Sequence, residues 1–355
     1  MEIFKCDACG QLVYFENTVC TRCGHALGFD PRQMRLVTGT FAEGVLTGPD
    51  GNVWARCGNA REDACNWLVH PNSEGPLCVA CALNRTIPDL SVPENRALWQ
   101  SIEAAKRRLV YALMRFGLPL RRQRDAGESG LAFDFLSDAG AGGPVMTGHA
   151  DGLVTINIAE ADPAERERRR ADLGEPLRTL LGHLRHEVGH YYWDLLVRDG
   201  GRLEEARATF GDERADYAAA LRRNYEVGPP ADWQERHVSA YAAAHPWEDF
   251  AETWTHYFHI VDTLDTAAAF GLSVDPEVSD DPAHSTDISL DPYRAENVET
   301  LVEAWLPLTY AVNSLNRSMG QPDLYPFVLS PVVIGKLDFV HCLIRDAGDS
   351  PAPAP

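Results

Sequence analysis

Apolar residues recur at alternating three- and four-residue steps in several stretches of the chain, and at two-residue steps in one. Leu177, Leu181, Leu184, Val188, Tyr191 and Leu195 make a stripe along one helix over 177–198. Pro176 suits its first position, where a missing N–H costs nothing, and Asp199-Gly200 is a stop. Leu98, Ile102, Ala105, Leu109, Ala112 and Phe116 predict an amphipathic helix over 94–116, closed by Gly117-Leu118-Pro119. Between the two helices the period changes. GLAFDFLSD alternates as a strand does, and two more strands flank the turn His149-Ala150-Asp151-Gly152. In the second of these, Val154, Ile156 and Ile158 face one way and Thr155 and Asn157 the other. Such a strand at a sheet edge pairs with an extended peptide, which makes Thr155 and Asn157 candidate substrate-binding residues. The run 160–175 is strongly charged and reads as a solvated helix or loop. Residues 260–346 read as helix and loop, with a long helix carrying Leu301, Ala304, Leu308, Val312 and Leu315, and Cys342 acting as a small hydrophobe. DSPAPAP reads as a disordered tail.

The first 92 residues follow no such period and are organised by cysteine. Of nine cysteines, eight lie before residue 82. Cys6-x-x-Cys9 and Cys20-x-x-Cys23 are two pairs, each followed by a glycine that permits the tight backbone around a metal. Four thiolates at this spacing suit a closed tetrahedral zinc site. Cys57, Cys65, Cys78 and Cys81 form a second set, with His70 as an alternative ligand. A segment this small is expected to rest mainly on its metals. Arg85 to Pro93 (RTIPDLSVP) reads as a linker.

Charge and composition narrow the function. The net charge of −20 argues against nucleic acid as the main partner, and residues 1–92 hold 7 basic against 10 acidic side chains. A structural or protein-binding role for the cysteine module is favoured. The start MEIFKCDACG has no apolar signal core, and no stretch approaches the roughly 20 apolar residues of a membrane span. The expectation is a cytoplasmic protein without a membrane partner.

The helix over 177–198 holds His186-Glu187-Val188-Gly189-His190. Histidines four apart leave the same side of a helix, so both imidazoles can hold one zinc ion. Glu187 is then placed to take a proton from a metal-activated water. A hydrolytic zinc needs a third protein ligand and an open position. Glu248, on a helix starting after His245-Pro246, is the candidate, with Glu252 one turn on to hydrogen-bond a ligand histidine. Asp212, Glu213 and Asp216 open another helix, where acids suit the dipole; Asp216 is also a fallback ligand or supporting acid. His183, three residues before His186 and near the same face, is read as a packed residue or one that supports the site, with ligation as a minor alternative, and His149 as a turn or surface histidine.

These residues resemble a known group. CNWLV, NRTIPDLS, TGHADGLVTIN, EPLRTLLGHLRHEVGHYYW, FGDERADY, HPWEDFAETW and HYFHIVDTL are similar to the bacterial family described as "putative zinc-binding metallopeptidases" with an N-terminal zinc ribbon. The resemblance implies a zincin fold of the gluzincin kind. Glu248-Asp249-Phe250-Ala251-Glu252 is also similar to the E-x-F-A-E segment of the anthrax lethal factor peptidase domain. That likeness implies a transition-state role for Tyr241, seven residues before Glu248.

The expected fold class is α+β. A zinc-ribbon module (1–92) precedes a mostly helical, zincin-like metallopeptidase domain with a small β-sheet (93–346) and a tail (347–355). The expected cofactor is zinc, one catalytic and two structural, and the expected substrate a peptide or protein. Three other readings use the same residues. One is a ribbon module that binds protein or nucleic acid on a non-catalytic scaffold. Another is a zinc hydrolase acting on a non-peptide amide. The last is a latent peptidase covered by its ribbons.

Overall fold

A computed structural model describes residues 2–126, 130–173 and 179–349. The chain divides into two compact units, residues 1–111 with 120–166, and residues 112–119 with 167–355. The division differs from the 92/93 boundary expected from composition.

In the first unit a two-stranded ribbon, β1 (Phe4–Lys5) and β2 (Leu12–Val13), frames the first cysteine pair. An antiparallel five-stranded sheet follows in sequential order: β3 (Ala26–Asp30), β4 (Arg35–Ala42), β5 (Val45–Thr47), β6 (Val53–Arg56) and β7 (Leu68–Val69). Val37, Leu46, Trp54 and Leu68 close a core on it, and the Trp54 indole N–H donates to the buried Asp30 carboxylate at 3.1 Å. Phe15, Phe29 and Trp67 pack edge-on and tilted beside it. The cysteine module therefore has an apolar core of its own and does not rest on metal alone.

The expected linker does not begin as one. β8 (Asn84–Thr86) pairs in parallel with β9 (Ala132–Leu136), and Arg85 reaches the buried Asp134 carboxylate. This pairing is why residues after the cysteine module pack with it. The helix predicted over 94–116 is α1 (Pro93–Arg115), followed by two one-turn helices, α2 (Gln123–Ala126) and α3 (Asp138–Ala141). β10 (Gly148–Ala150) and β11 (Leu153–Asn157) form the predicted hairpin. Its turn holds Asp151 and Gly152 at φ of 48° and 80°, the left-handed pair a tight two-residue hairpin requires.

The sheet order is β10-β11-β9-β8, so β11 lies inside the sheet with both edges paired. This corrects the expectation of a peptide-binding edge. Alternation of period two is the same for inner and edge strands. Asn157 is also committed internally: its amide donates to Asp138 and the Val145 carbonyl, and its Oδ1 accepts from the Ala159 N–H. Thr155 is half-buried between paired strands. The charged run becomes α4 (Pro163–Leu173).

The second unit is helical: α5 (Leu180–Tyr192), α6 (Leu203–Phe210), α7 (Tyr217–Val227), α8 (Trp233–Arg236), α9 (Pro246–Ala269), α10 (Val298–Ser318) and α11 (Pro331–Asp349). A two-stranded ribbon, β12 (Ser273–Val274) and β13 (Thr286–Asp287), interrupts the stretch read as helix and loop. α5 starts with Thr179 as its cap, whose hydroxyl accepts from the Gly182 N–H, and continues as a π-helix over Trp193–Arg198. The start expected at Pro176 falls outside the described residues. Residues 347–349 of the expected tail are helical, and 350–355 lie outside the described residues. Cys342 is exposed, not packed, because it falls on the outer face of α11. No helix among the described residues is long and apolar enough to cross a membrane.

Candidate metal centres

Three clusters of metal-ligating side chains occur among the described residues. Two are the cysteine sets. In the first, Cys6 and Cys23 sulfurs are 3.6 Å apart, and Cys9 and Cys20 sulfurs 3.7 Å. In the second, Cys65 and Cys78 sulfurs are 3.7 Å apart. Tetrahedral ligands at zinc–sulfur distances near 2.3 Å stand about 3.8 Å from one another, whereas a disulfide needs about 2.05 Å. The spacing fits a shared ion and not a bridge. Local backbone builds the sites. Gly10 and Gly24 N–H groups turn back to the Cys6 and Cys20 carbonyls at 2.9 and 2.8 Å. Trp67 and Cys78 N–H groups point at the Cys65 and Cys57 sulfurs, both at 3.4 Å. All four sulfurs of the second set are on buried residues. His70 is not in the cluster.

The third cluster joins His186 and His190 of α5 to Glu248 of α9. His186 Nε2 lies 2.9 Å from Glu248 Oε2 and 3.2 Å from His190 Nε2, and His190 Nε2 lies 3.6 Å from that same oxygen. Ligands of a tetrahedral zinc at bonds of 2.0–2.1 Å are about 3.3 Å apart, so the triangle fits one such ion. The chemistry fits as well. His186 Nδ1 lies 2.8 Å from Glu252, and a proton on Nδ1 directs Nε2 as a ligand atom towards the carboxylate and the other imidazole. One carboxylate and two imidazoles converging on one point are a donor set that suits a divalent zinc ion. Burial works against the charge of Glu248, but His190 and His186 outweigh it and hold the carboxyl well below its usual range.

Two features bring α5 and α9 together. A Cβ on Gly189 would meet the Ala251 Cα and the Trp254 indole at 3.2 Å each, so any larger residue requires these neighbours to give by a few tenths of an ångström. Arg185 reaches from α5 to His259 and Asp262 of α9, and Tyr293 donates to the same Asp262. Neither was singled out from the sequence. A buried arginine inside an apolar stripe was the available signal.

Glu187 is buried, with Oε1 3.2 Å from His183 Nε2. Burial pushes its carboxyl up; the His183 hydrogen bond and charge, with His186 and His190, outweigh this and keep it below the usual range. His183, read as a packed residue or one that supports the site, thus touches the candidate base. Glu252 accepts from Ser239 Oγ at 2.6 Å besides His186, and the Trp247 ring lies 3.9 Å from that of His190. The Tyr241 ring, in a short 3₁₀ turn, is 5.9 Å from that of His186. Burial, then Glu248, raises its hydroxyl, which keeps its proton.

Asp216 is not among the clustered ligands: its carboxylate caps α7, accepting from the Ala219 N–H at 3.0 Å. Helix capping consumes the acid there. The next residue, Tyr217, donates to Glu248 Oε1 at 2.7 Å, a contact sequence reasoning missed. His149 accepts from the Gly152 N–H in the hairpin turn.

A family model described as "Putative zinc-binding metallo-peptidase" matches residues 95–343, and one described as "zinc-ribbon domain" matches residues 3–92. An uncharacterised protein of Mycobacterium bovis is 41% identical over 355 residues, covering 100% of this chain and 98% of its own length. Uncharacterised proteins of two Mycobacterium tuberculosis strains match to the same extent. No solved structure matches.

Proposed function

Since the chain belongs to the family described as "Putative zinc-binding metallo-peptidase" and carries an N-terminal zinc ribbon, we propose that it hydrolyses peptide bonds at the His186, His190 and Glu248 cluster. The observation that carries the reading is the convergence of these three ligand atoms within 4.8 Å from two separate helices, with Glu187 beside them. Three protein ligands leave one corner of a tetrahedron open, as hydrolysis requires. Zinc held there supplies Lewis acidity, which brings the pKa of water towards about 7 and polarises a carbonyl.

The protein's own groups do the rest. Glu187, ionised under the influence of His183, takes the proton of the attacking water and passes it to the leaving amine. Glu252, held by Ser239, fixes the tautomer of His186. Tyr241, which keeps its proton, donates to the carbonyl oxygen as charge develops on it. The arrangement is gluzincin-like, two histidines and a downstream glutamate. The two cysteine sets hold structural zinc, for three ions per chain, and the ribbon surface is the place for a protein partner.

Digestion of a peptide library by parent and Glu187→Gln, with zinc counted in both, tests this. The variant keeps its zinc and loses roughly 10²–10⁴-fold in turnover. Equal cleavage by the two would remove Glu187 as the base.

A further inference from the structure

The segment FGDERADY, before α7, does more than begin a helix. Each of its polar residues is used. Arg207 holds Glu213 through two bonds of 2.6 and 3.0 Å, and Arg214 holds Asp212 at 2.7 and 2.8 Å. The Ala215 carbonyl accepts from His245 Nε2 at 3.1 Å, which ties the segment to the cap of α9. Gly211, at φ 104°, lies against Pro246 of the same cap. Asp216 then caps α7 and sets the direction in which its first residue leaves. That residue is Tyr217. Its ring stands edge-on to His245 and Trp247, at 5.2 and 5.8 Å. Its hydroxyl ends 2.7 Å from Glu248 Oε1.

Glu248 thus has its two oxygens divided: Oε1 accepts from Tyr217, and Oε2 faces His186 and His190. We infer that Tyr217 is a positioning residue for the metal, holding Glu248 so that a single oxygen binds and the open corner is preserved. This rests on the proposed metal site. A carboxylate with both oxygens free can turn and bind through both. That second bond would occupy the position that water and substrate need. The bracket from Arg207 to Asp216 supports the tyrosine from one side and the α9 cap from the other. No residue of α7 is fully buried; the helix rests on the 3₁₀ turn Tyr241–Ala244, and Tyr217 carries its hydrogen bond to Glu248.

Tyr217→Phe keeps the ring and removes only the hydroxyl. At 38% exposure the position tolerates the change without loss of fold. The full chain, with its cysteine sites loaded, is titrated with zinc against a chromophoric chelator. Cobalt is then placed in the third site and its visible spectrum recorded. The variant is expected to bind the third zinc about 10–100-fold more weakly, with the two cysteine-bound ions unaffected. Its cobalt bands are expected to weaken and shift as the carboxylate turns to two-oxygen binding. Asp216→Ala, which frees the cap, should move both readouts the same way by less. Unchanged affinity and spectrum in Tyr217→Phe overturn the inference, and they do so even if turnover falls, since that would make Tyr217 a group acting on substrate. A parent chain that takes up only two zinc ions defeats the proposed function and this inference together. Three ions in the parent with an unaltered variant defeats the inference alone.

Discussion

The cysteine sites and the histidine–glutamate site solve the same problem by different means. Cys57, Cys65, Cys78 and Cys81 come from one turn-rich stretch, and backbone N–H groups of that stretch point at the sulfurs. Four ligands close the site, and the geometry is local. His186 and Glu248 come from two helices, 62 residues apart in the chain, and three ligands leave the site open. An open site has no fourth ligand to hold the others in place, so the frame must do it. Here the frame is the close approach at Gly189, the Arg185–Asp262 pair, and hydrogen bonds from outside onto His186 and Glu248. A closed site is held mainly by its ion, whereas an open one depends on its scaffold.

Removing a ligand from the closed kind should give the largest effect. Cys78→Ala is expected to cost one zinc ion per chain and to unfold the segment around 57–81, because structural zinc contributes about 10–16 kcal/mol in small zinc-binding folds. Metal analysis and thermal melting check it. A variant that keeps all its zinc would show that the second set is not a zinc site.

In the open site, loss of a supporting partner should weaken metal binding without unfolding. Glu252→Gln leaves His186 Nδ1–H without its carboxylate, and zinc affinity should fall about 10–100-fold with the melting curve little changed. Chelator competition measures it. Gly189→Ala tests the frame. Helix propensity favours alanine by about 1 kcal/mol. The new Cβ, however, meets Ala251 backbone and a Trp254 ring stacked between Tyr192 and Phe258. Overpacking of about 1–3 kcal/mol should win, lowering the melting temperature and weakening the third zinc as Glu248 is displaced. A more stable variant with unchanged zinc affinity would show that the helices have room to part.

The smallest effect concerns the bracket. Arg207 holds the Glu213 carboxyl below its usual range. A depressed folded-state pKa gives stability that is present above the unfolded value and lost as pH falls through the folded one. Glu213→Gln should therefore melt slightly below the parent at neutral pH, and the gap should close below about pH 4. A gap independent of pH would mean that shape, not charge, matters at this position.

Much of the chemistry was legible from spacing. Residues four apart share a helix face whatever surrounds them, so His186 with His190, and Glu248 with Glu252, could be read as pairs. The cysteine pairs followed from turn geometry in the same way. The residues that escaped reading act across elements. Tyr217 and Arg185 have no local signature, and Gly189 occupies one of the two unspecified positions of the motif. The placement of Thr155 and Asn157 failed because a period of two describes an inner strand as well as an edge strand. Asp216 was ambiguous because a cap and a metal support call for the same carboxylate.

The amino-acid sequence by itself determined which groups stand together on one helix or in one knuckle, because that follows from covalent geometry and backbone repeat. Tertiary structure alone decided which helix meets which, which strand has a free edge, and which hydroxyl touches the ligand carboxylate. Those contacts come from packing between segments far apart in the chain, where a single Cβ or one buried arginine sets the register.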